Sequence, residues 1–513
     1  MKYPIGIQNF EKLRKEGYTY VDKTALVYKL VSEGAYYFLS RPRRFGKSLL
    51  LSTFRAYFEG KRELFEGLAI ADLEKEWKQY PVLYLDLNVD KFSTAEALEA
   101  YLDDVLTKWE QQYGSFETET TPGMRFMGII KRAAEKEGKR VVILVDEYDK
   151  PLLQNIDRPD VQDELRKTLK AFYAALKTMD EFIQFAFLTG VTKFGKISVF
   201  SDLNHLMDLS LDYRYTDICG ISETELHQYF DQGVEQLAQK HNISKQECYE
   251  RLRNNYDGYH FYPNSEGIYN PYSLLTTLSK QEFGDYWFET GTPTILVNQL
   301  KKTDYNLERI TTEELTTDTL NSIDVMNENP LPLIYQSGYL TIKEYDELFK
   351  VYTLGFPNRE VEEGFIKFLV PYYISTPKAS SGFSIRHFVK EIQNGKAEEF
   401  ISRLQTLFAD GDYQVMGDKE VYFQNTLYVF FKLLGFYVVV ERHTTDGRMD
   451  ILIQTPLFVY ILELKVNQTA DVALQQIENK GYALPFANDQ RKLFKIGINF
   501  STETRKIDDW KIA

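Results

Sequence analysis

From about residue 20 to residue 220, short apolar runs alternate with longer amphipathic segments, the rhythm of an α/β domain built on a parallel sheet. Four runs, Tyr36–Ser40 (YYFLS), Val82–Leu87 (VLYLDL), Val141–Val145 (VVILV) and Ile183–Leu188 (IQFAFL), lack the alternation of a half-exposed strand and predict buried strands. Ser222-Glu-Thr-Glu225 has the capping-box pattern and predicts a helix start, with mostly helical text as far as about residue 280. Within it, Asn254–Tyr272 (NNYDGYHFYPNSEGIYNPY) is crowded with Gly, Pro, Asn and Tyr and predicts a structured turn region held down by its aromatics. A strand-like pair around Gly338–Ile342 and Lys350–Leu354, then a helix, closes this middle region, and Thr376–Phe383 (TPKASSGF) has the composition of a linker. Helices then run to about Leu434. Apolar runs follow at Tyr437–Glu441, Met449–Ile453 and Phe458–Leu464, then a helix, then a run at Leu493–Ile498. The expected division is an α/β domain over 1–220, a mostly helical region over 221–375 and a second α/β domain over 376–513.

A chain of 513 residues exceeds a single hydrophobic core, and 43% hydrophobic with 15% aromatic residues is ample for several. With 61 Lys and Arg against 75 Asp and Glu, the net charge of −14 does not draw polyanions to the molecule as a whole, so a nucleic-acid site has to be a local patch. Cys219 and Cys248 alone argue for a reducing compartment, without a disulfide framework or a cysteine zinc site. MKYPIGIQNF lacks the apolar core of a signal peptide and no run reaches membrane-spanning length, so a cytoplasmic protein is expected.

The segment Ser40-Arg-Pro-Arg-Arg-Phe-Gly46-Lys47-Ser48 lies between a buried strand and an amphipathic run, the setting of a phosphate-binding loop. Loop and helix N–H groups would cradle phosphates at Gly46, Lys47 would reach the terminal ones, and Ser48 would ligate magnesium. Arg41 stands where such loops carry their first glycine. Arg43 and Arg44 read equally as phosphate ligands or as a basic surface. Val141–Val145 delivers Asp146 and Glu147 to its C-terminal edge, where Asp146 would hold the magnesium and Glu147 would polarise water. A solvated turn is the bland alternative for Asp-Glu after a strand, and the company of GKS is what weighs against it. Thr189 reads either as a sensor of the γ-phosphate or as the plain end of a strand.

At the C-terminal end, Thr-Thr-Asp-Gly447 between two apolar runs predicts a hairpin, followed by the strand VYILELK. Glu463 and Lys465 emerge on one face of that strand, and if it pairs with the strand bearing Asp450, the two carboxylates converge to hold a hard divalent cation. Lys465 would then orient or deprotonate the attacking water, the minimal apparatus for phosphodiester hydrolysis. A spaced D…E-x-K is common by chance, but charges interrupting an apolar strand are usually paired or functional. His260 reads as a packed or hydrogen-bonded residue, and His443 as a solvated hairpin residue.

RPRRFGKSL, LVDEYDKPL, FLTGVTKFGKISVFSDLN, CGISETEL and YDGYHF together resemble the AAA-ATPase-like family of bacteria and archaea that is fused to a PD-(D/E)XK nuclease-type domain, over nearly the whole chain. In that family the loop reads RPRRFGKS, so Arg41 belongs to the pattern. Gly447-Arg448-x-Asp450, Glu463-x-Lys465 and the helix Ala473–Tyr482 (ALQQIENKGY) resemble its nuclease core. The resemblance gives Gln476 and Tyr482 a place on a recurrent helix, Glu420 that of an accessory acid, and Arg448 a place beside Asp450. It implies an N-terminal P-loop NTPase-like parallel sheet domain, a helical middle region and a C-terminal α/β restriction-endonuclease-like domain. The implied cofactors are ATP and Mg2+ (or Mn2+), and the implied partner is nucleic acid, DNA ahead of RNA, with a homo-oligomer compatible. Two readings follow: a nucleotide-regulated, metal-dependent nuclease, or a nucleotide-gated binding or assembly protein with little turnover.

Overall fold

The computed structural model describes residues 1–193, 205–288, 294–321, 323, 329–374, 385–409, 419–445, 448–504 and 506–513, and among these the side chains of 294–295, 301, 408–409, 419–420, 442–445 and 448–450 are outside the description. The expected linker 376–383 and the hairpin residues Asp446 and Gly447 therefore lie outside the described residues. The chain forms two compact units: Met1–Leu296 with Ile310–Glu362, and Val297–Arg309 with Glu363–Ala513.

The first unit is built on a parallel five-stranded sheet of β1 (Tyr36–Ser40), β2 (Val82–Asp86), β3 (Val141–Asp146), β4 (Ile183–Gly190) and β5 (Met207–Asp208), in the order β2-β3-β4-β1-β5. β1, β3 and β4 are buried because helices cover them, as their unbroken apolar runs require. β2 differs from expectation: its residues alternate between buried and half-buried, because it is an edge strand. The two-residue β5 has no run long enough to announce itself.

The same unit continues into a helical layer. Ser222 caps the helix Glu223–His241 through a complete capping box with Glu225. That helix, Lys245–Tyr256 and Pro271–Lys280 share a core around Leu226, Phe230, Leu252 and Leu274, onto which Tyr3, Ile5 and Val21 of the N-terminal segment pack. Here β6 (Ile221–Ser222) pairs with β7 (Ile268–Tyr269). β8 (Glu314–Thr316), β9 (Thr341–Asp346) and β10 (Val351–Gly355) form a small antiparallel sheet that contains the expected strand pair.

The second unit carries β11 (Val439–Thr445), β12 (Arg448–Gln454), β13 (Phe458–Val466), β14 (Lys492–Ser501) and β15 (Lys506–Ile512), neighbours in that order. All pairs are antiparallel except β13 with β14, whose crossover is the helix Ala470–Asn479. Val297–Arg309 is fastened to the helix Lys419–Gly435 by the buried Asn425, which accepts from Leu307 N (2.8 Å) and donates to Tyr305 O (2.8 Å). No described helix is long and apolar enough to cross a membrane.

Candidate nucleotide site and candidate nuclease centre

In the order β3-β4-β1, the loop after β1, the acidic pair after β3 and Thr189 near the end of β4 all reach the same edge of the sheet, where open α/β sheets take ligands. Gly46 caps the helix Lys47–Phe58 with φ 97°, a conformation that favours glycine, and aims the helix N-terminus at the loop. Lys47 is buried. Its ammonium donates to Arg41 O (3.0 Å) and Pro42 O (3.3 Å) and pairs with Glu147 at 3.3 Å. Asp146 takes hydrogen bonds from the Ser48 hydroxyl and from Thr189 Oγ1 (2.6 Å), so a hydroxyl and a carboxylate suited to magnesium already adjoin. Burial pushes the Asp146 carboxyl up, against the lowering effect of those two hydroxyls. Arg44 (φ 69°) and Glu147 (φ 54°) hold the left-handed conformation without being glycine, at a cost on the order of 1–3 kcal/mol each, and such strain gathers at functional sites.

Arg41 is engaged by the protein's own backbone and an aromatic ring. Fully buried, it donates to Ser40 O, Ser210 O and Tyr215 O, each at 3.0 Å, and lies 3.9 Å from the centroid of Phe261. Loss of solvation pulls its guanidinium down to about 10, so it stays charged at neutral pH. Phe45 packs edge-on against Tyr259 (4.7 Å) and Phe261 (5.6 Å), and Trp287 Nε1 donates to Arg43 O (3.0 Å). The YDGYHF segment is thus a brace for the phosphate loop, as its aromatics suggested in part, although its target was not legible. His260 is half-buried, its Nδ1 at 2.8 Å from Ser265 O. The Arg43 and Arg44 side chains are exposed, and Arg44 lies 5.2 Å from the centroid of Tyr272.

A cavity of about 540 Å³ opens at this loop. Lys47, Ser48, Glu147 and Lys150 are among its polar lining residues, and Phe230 and Leu275 among its apolar ones. That volume and mixed lining suit a small organic anion with an apolar body.

In the second unit the register answers the question the sequence left conditional. Asp450 on β12 stands opposite Glu463 on β13, and His443 on β11 stands opposite Asp450. Opposed residues of antiparallel strands share a face with Cβ atoms about 4.5–5.5 Å apart, so all three occupy one row. Glu463 is fully buried and Lys465 nearly so, and the Lys465 ammonium donates to Glu463 Oε1 and to Gln476 Oε1 (2.7 Å). Gln476 reaches it from the helix Ala470–Asn479, while Tyr482 is half-buried in the turn just beyond that helix. The helix can approach because Gly497 lies opposite Glu463 on β14: a Cβ there would come within 2.3 Å of Ala470 O. The side chains of Glu420, Arg448 and Asp450 lie outside the described residues, and only their places on the helix Lys419–Gly435 and on β12 are given. Among the described residues no three His, Cys, Asp or Glu side chains gather to hold a metal.

The family described as a predicted AAA-ATPase matches residues 4–200, and the PD-(D/E)XK nuclease superfamily matches residues 418–510. An "Uncharacterized protein in vnfD 5'region" of Azotobacter chroococcum mcd 1 is 35% identical over 520 residues, covering 99% of this chain and 98% of that protein. The chain therefore belongs to the family in which an N-terminal predicted AAA-ATPase domain is joined to a C-terminal PD-(D/E)XK nuclease superfamily domain.

Proposed function

We propose that the first unit binds ATP with magnesium and that the second hydrolyses phosphodiester bonds of nucleic acid, DNA ahead of RNA, under control of the bound nucleotide. The observation that carries the nuclease reading is the opposition of Asp450 to Glu463, with Lys465 two residues on and held by Gln476. Two carboxylates and an ammonium on one face are hard oxygen donors beside a cation, the set that suits Mg2+ or Mn2+. A bound divalent cation would neutralise phosphate charge and make water more acidic. Asp450 and Glu463 would hold it. Lys465 would orient the attacking water, whose oxygen bonds to phosphorus as the ester P–O bond breaks.

In the first unit the helix N-terminus and Lys47 would bind the phosphates, Ser48 and Asp146 would hold magnesium, Thr189 would fix Asp146, and the apolar lining residues of the cavity would take the base. Glu147 would polarise water once released from Lys47. That ion pair favours a second reading, a nucleotide-gated binding or assembly protein with slow turnover, because the residue for water activation is held by the residue for phosphate binding.

One experiment tests the whole: cleavage of plasmid, linear and single-stranded substrates with magnesium, with and without ATP, by wild type, Asp450→Asn, Glu463→Gln and Lys47→Ala. Both carboxylate variants are expected to lose cleavage, and Lys47→Ala is expected to lose only the effect of ATP. Undiminished cleavage in the carboxylate variants removes the nuclease assignment. Identical ATP responses in wild type and Lys47→Ala remove the regulation.

A further inference from the structure

The DEYDK segment places a further ammonium at the cavity, which Lys23, Arg43, Arg44 and Lys47 also line. Lys150 follows Glu147 on one tight turn, with Lys150 N donating to Glu147 O (3.0 Å), and both residues line the cavity. Its ammonium is tethered from the end of β2, donating to Asn88 O (2.7 Å) and Asn88 Oδ1 (2.9 Å). The two lysines differ in one respect. Lys47 already pairs with a carboxylate, whereas these two bonds of Lys150 go to neutral oxygens and leave its charge available to an anion.

Placement says which anion. The N–H groups at the helix N-terminus after Gly46 would take the inner phosphates and Lys47 would reach the terminal ones, and Glu147, paired with Lys47 at 3.3 Å, marks the outer end, where water would attack. An ammonium on the same turn as Glu147 would therefore meet the last phosphate of a triphosphate, a group that a diphosphate lacks. We infer that Lys150, held by Asn88, is the residue by which the site distinguishes nucleoside triphosphates from diphosphates. Partial burial adds to the case: it pulls the ammonium below its ordinary value despite the neighbouring Glu147 and Asp86, a cost that a γ-phosphate would relieve.

The inference rests on the nucleotide-site reading, and its test separates the two. Affinities of the full chain for the β,γ-imido analogue of ATP and for ADP, each with magnesium, are measured by calorimetry for wild type, Lys150→Gln, Asn88→Ala and Lys47→Ala. Wild type is expected to prefer the triphosphate by about tenfold or more, the size of one charge-assisted hydrogen bond. Lys150→Gln is expected to lose most of that preference while its ADP affinity stays within about twofold of wild type. Asn88→Ala, which releases the ammonium without removing it, moves the preference the same way, and Lys47→Ala weakens both ligands. A preference retained in Lys150→Gln, or equal weakening of the two ligands by it, overturns the inference and leaves the nucleotide site standing. A wild type that binds neither ligand removes both.

Discussion

At Arg41, where the usual phosphate loop has glycine, a buried guanidinium ties three backbone carbonyls and an aromatic face into one knot. Arg41→Gly would restore the common motif and leave those carbonyls and a side-chain-sized hole unfilled. Its expected cost is about 3 kcal/mol or more in urea or thermal unfolding, without a gain in nucleotide affinity. A variant as stable as wild type would contradict the bracing role. The loop's place was legible because Lys47 and Ser48 sit in a local strand-to-helix pattern. Arg41's role was not, since its partners Ser210 and Tyr215 lie far along the chain. A second residue gives a pH signature. Burial raises the Asp257 carboxyl to about 6, so the folded protein binds its proton more tightly than the unfolded chain, whose ordinary value is 3.8. Its stabilising contribution is therefore complete below about pH 4 and is lost as the pH rises through 6, by about 1–3 kcal/mol. Asp257→Asn removes this decline. The difference in unfolding free energy between variant and wild type is expected to shift in the variant's favour from pH 4 to pH 7, and a constant difference would show that the carboxyl does not titrate as described.

Among elements, β13 and the helix Ala470–Asn479 make the candidate nuclease centre together, and Gly497 sets their spacing. Gly497→Ala would place a methyl 2.3 Å from Ala470 O and 3.0 Å from Leu474 Cγ, so the helix must move and take Gln476 away from Lys465. The expected outcome is a loss of about 1–3 kcal/mol in stability together with a sharp fall in cleavage. Gly435→Ala is the control, because its methyl would meet only Val440, at 3.8 Å. Equal behaviour of the two variants would show that the helix spacing does not matter. That Glu463 and Lys465 share a face was legible from the two-residue alternation of β13, whereas the opposition of Asp450 to Glu463 was left conditional on strand pairing, which the register of β12 with β13 supplies. The glycine was not, since its meaning depends on a crossover helix packing back onto β14. β15 also escaped the sequence reading: Lys506–Ile512 (KIDDWKI) is an edge strand whose exposed positions dilute its apolar signal. β2 was found but misread as fully buried, since edge and centre differ by neighbours rather than by composition.

For the molecule as a whole, the second unit draws Val297–Arg309 from the middle of the chain and the rest from Glu363 onward. Val297, Leu300 and Leu307 are buried, each worth about 2 kcal/mol, and Asn425 relies on both Tyr305 and Leu307. A fragment of residues 363–513 would lose an amount comparable with the whole stability of a typical domain, about 5–15 kcal/mol. It is expected to unfold without a cooperative transition, and a peptide of residues 297–309 added in trans is expected to restore one. A sharp thermal transition in the fragment alone would rule this out. The same interleaving has a consequence in time. On a ribosome, Val297–Arg309 emerges well before Asn425 exists, and residues 310–362 are claimed by the other unit meanwhile. The segment must wait, so closure of that long loop makes the second unit the slow, late step of synthesis and the natural client of a chaperone. Cleavage competence would then arrive only after the candidate nucleotide site has formed.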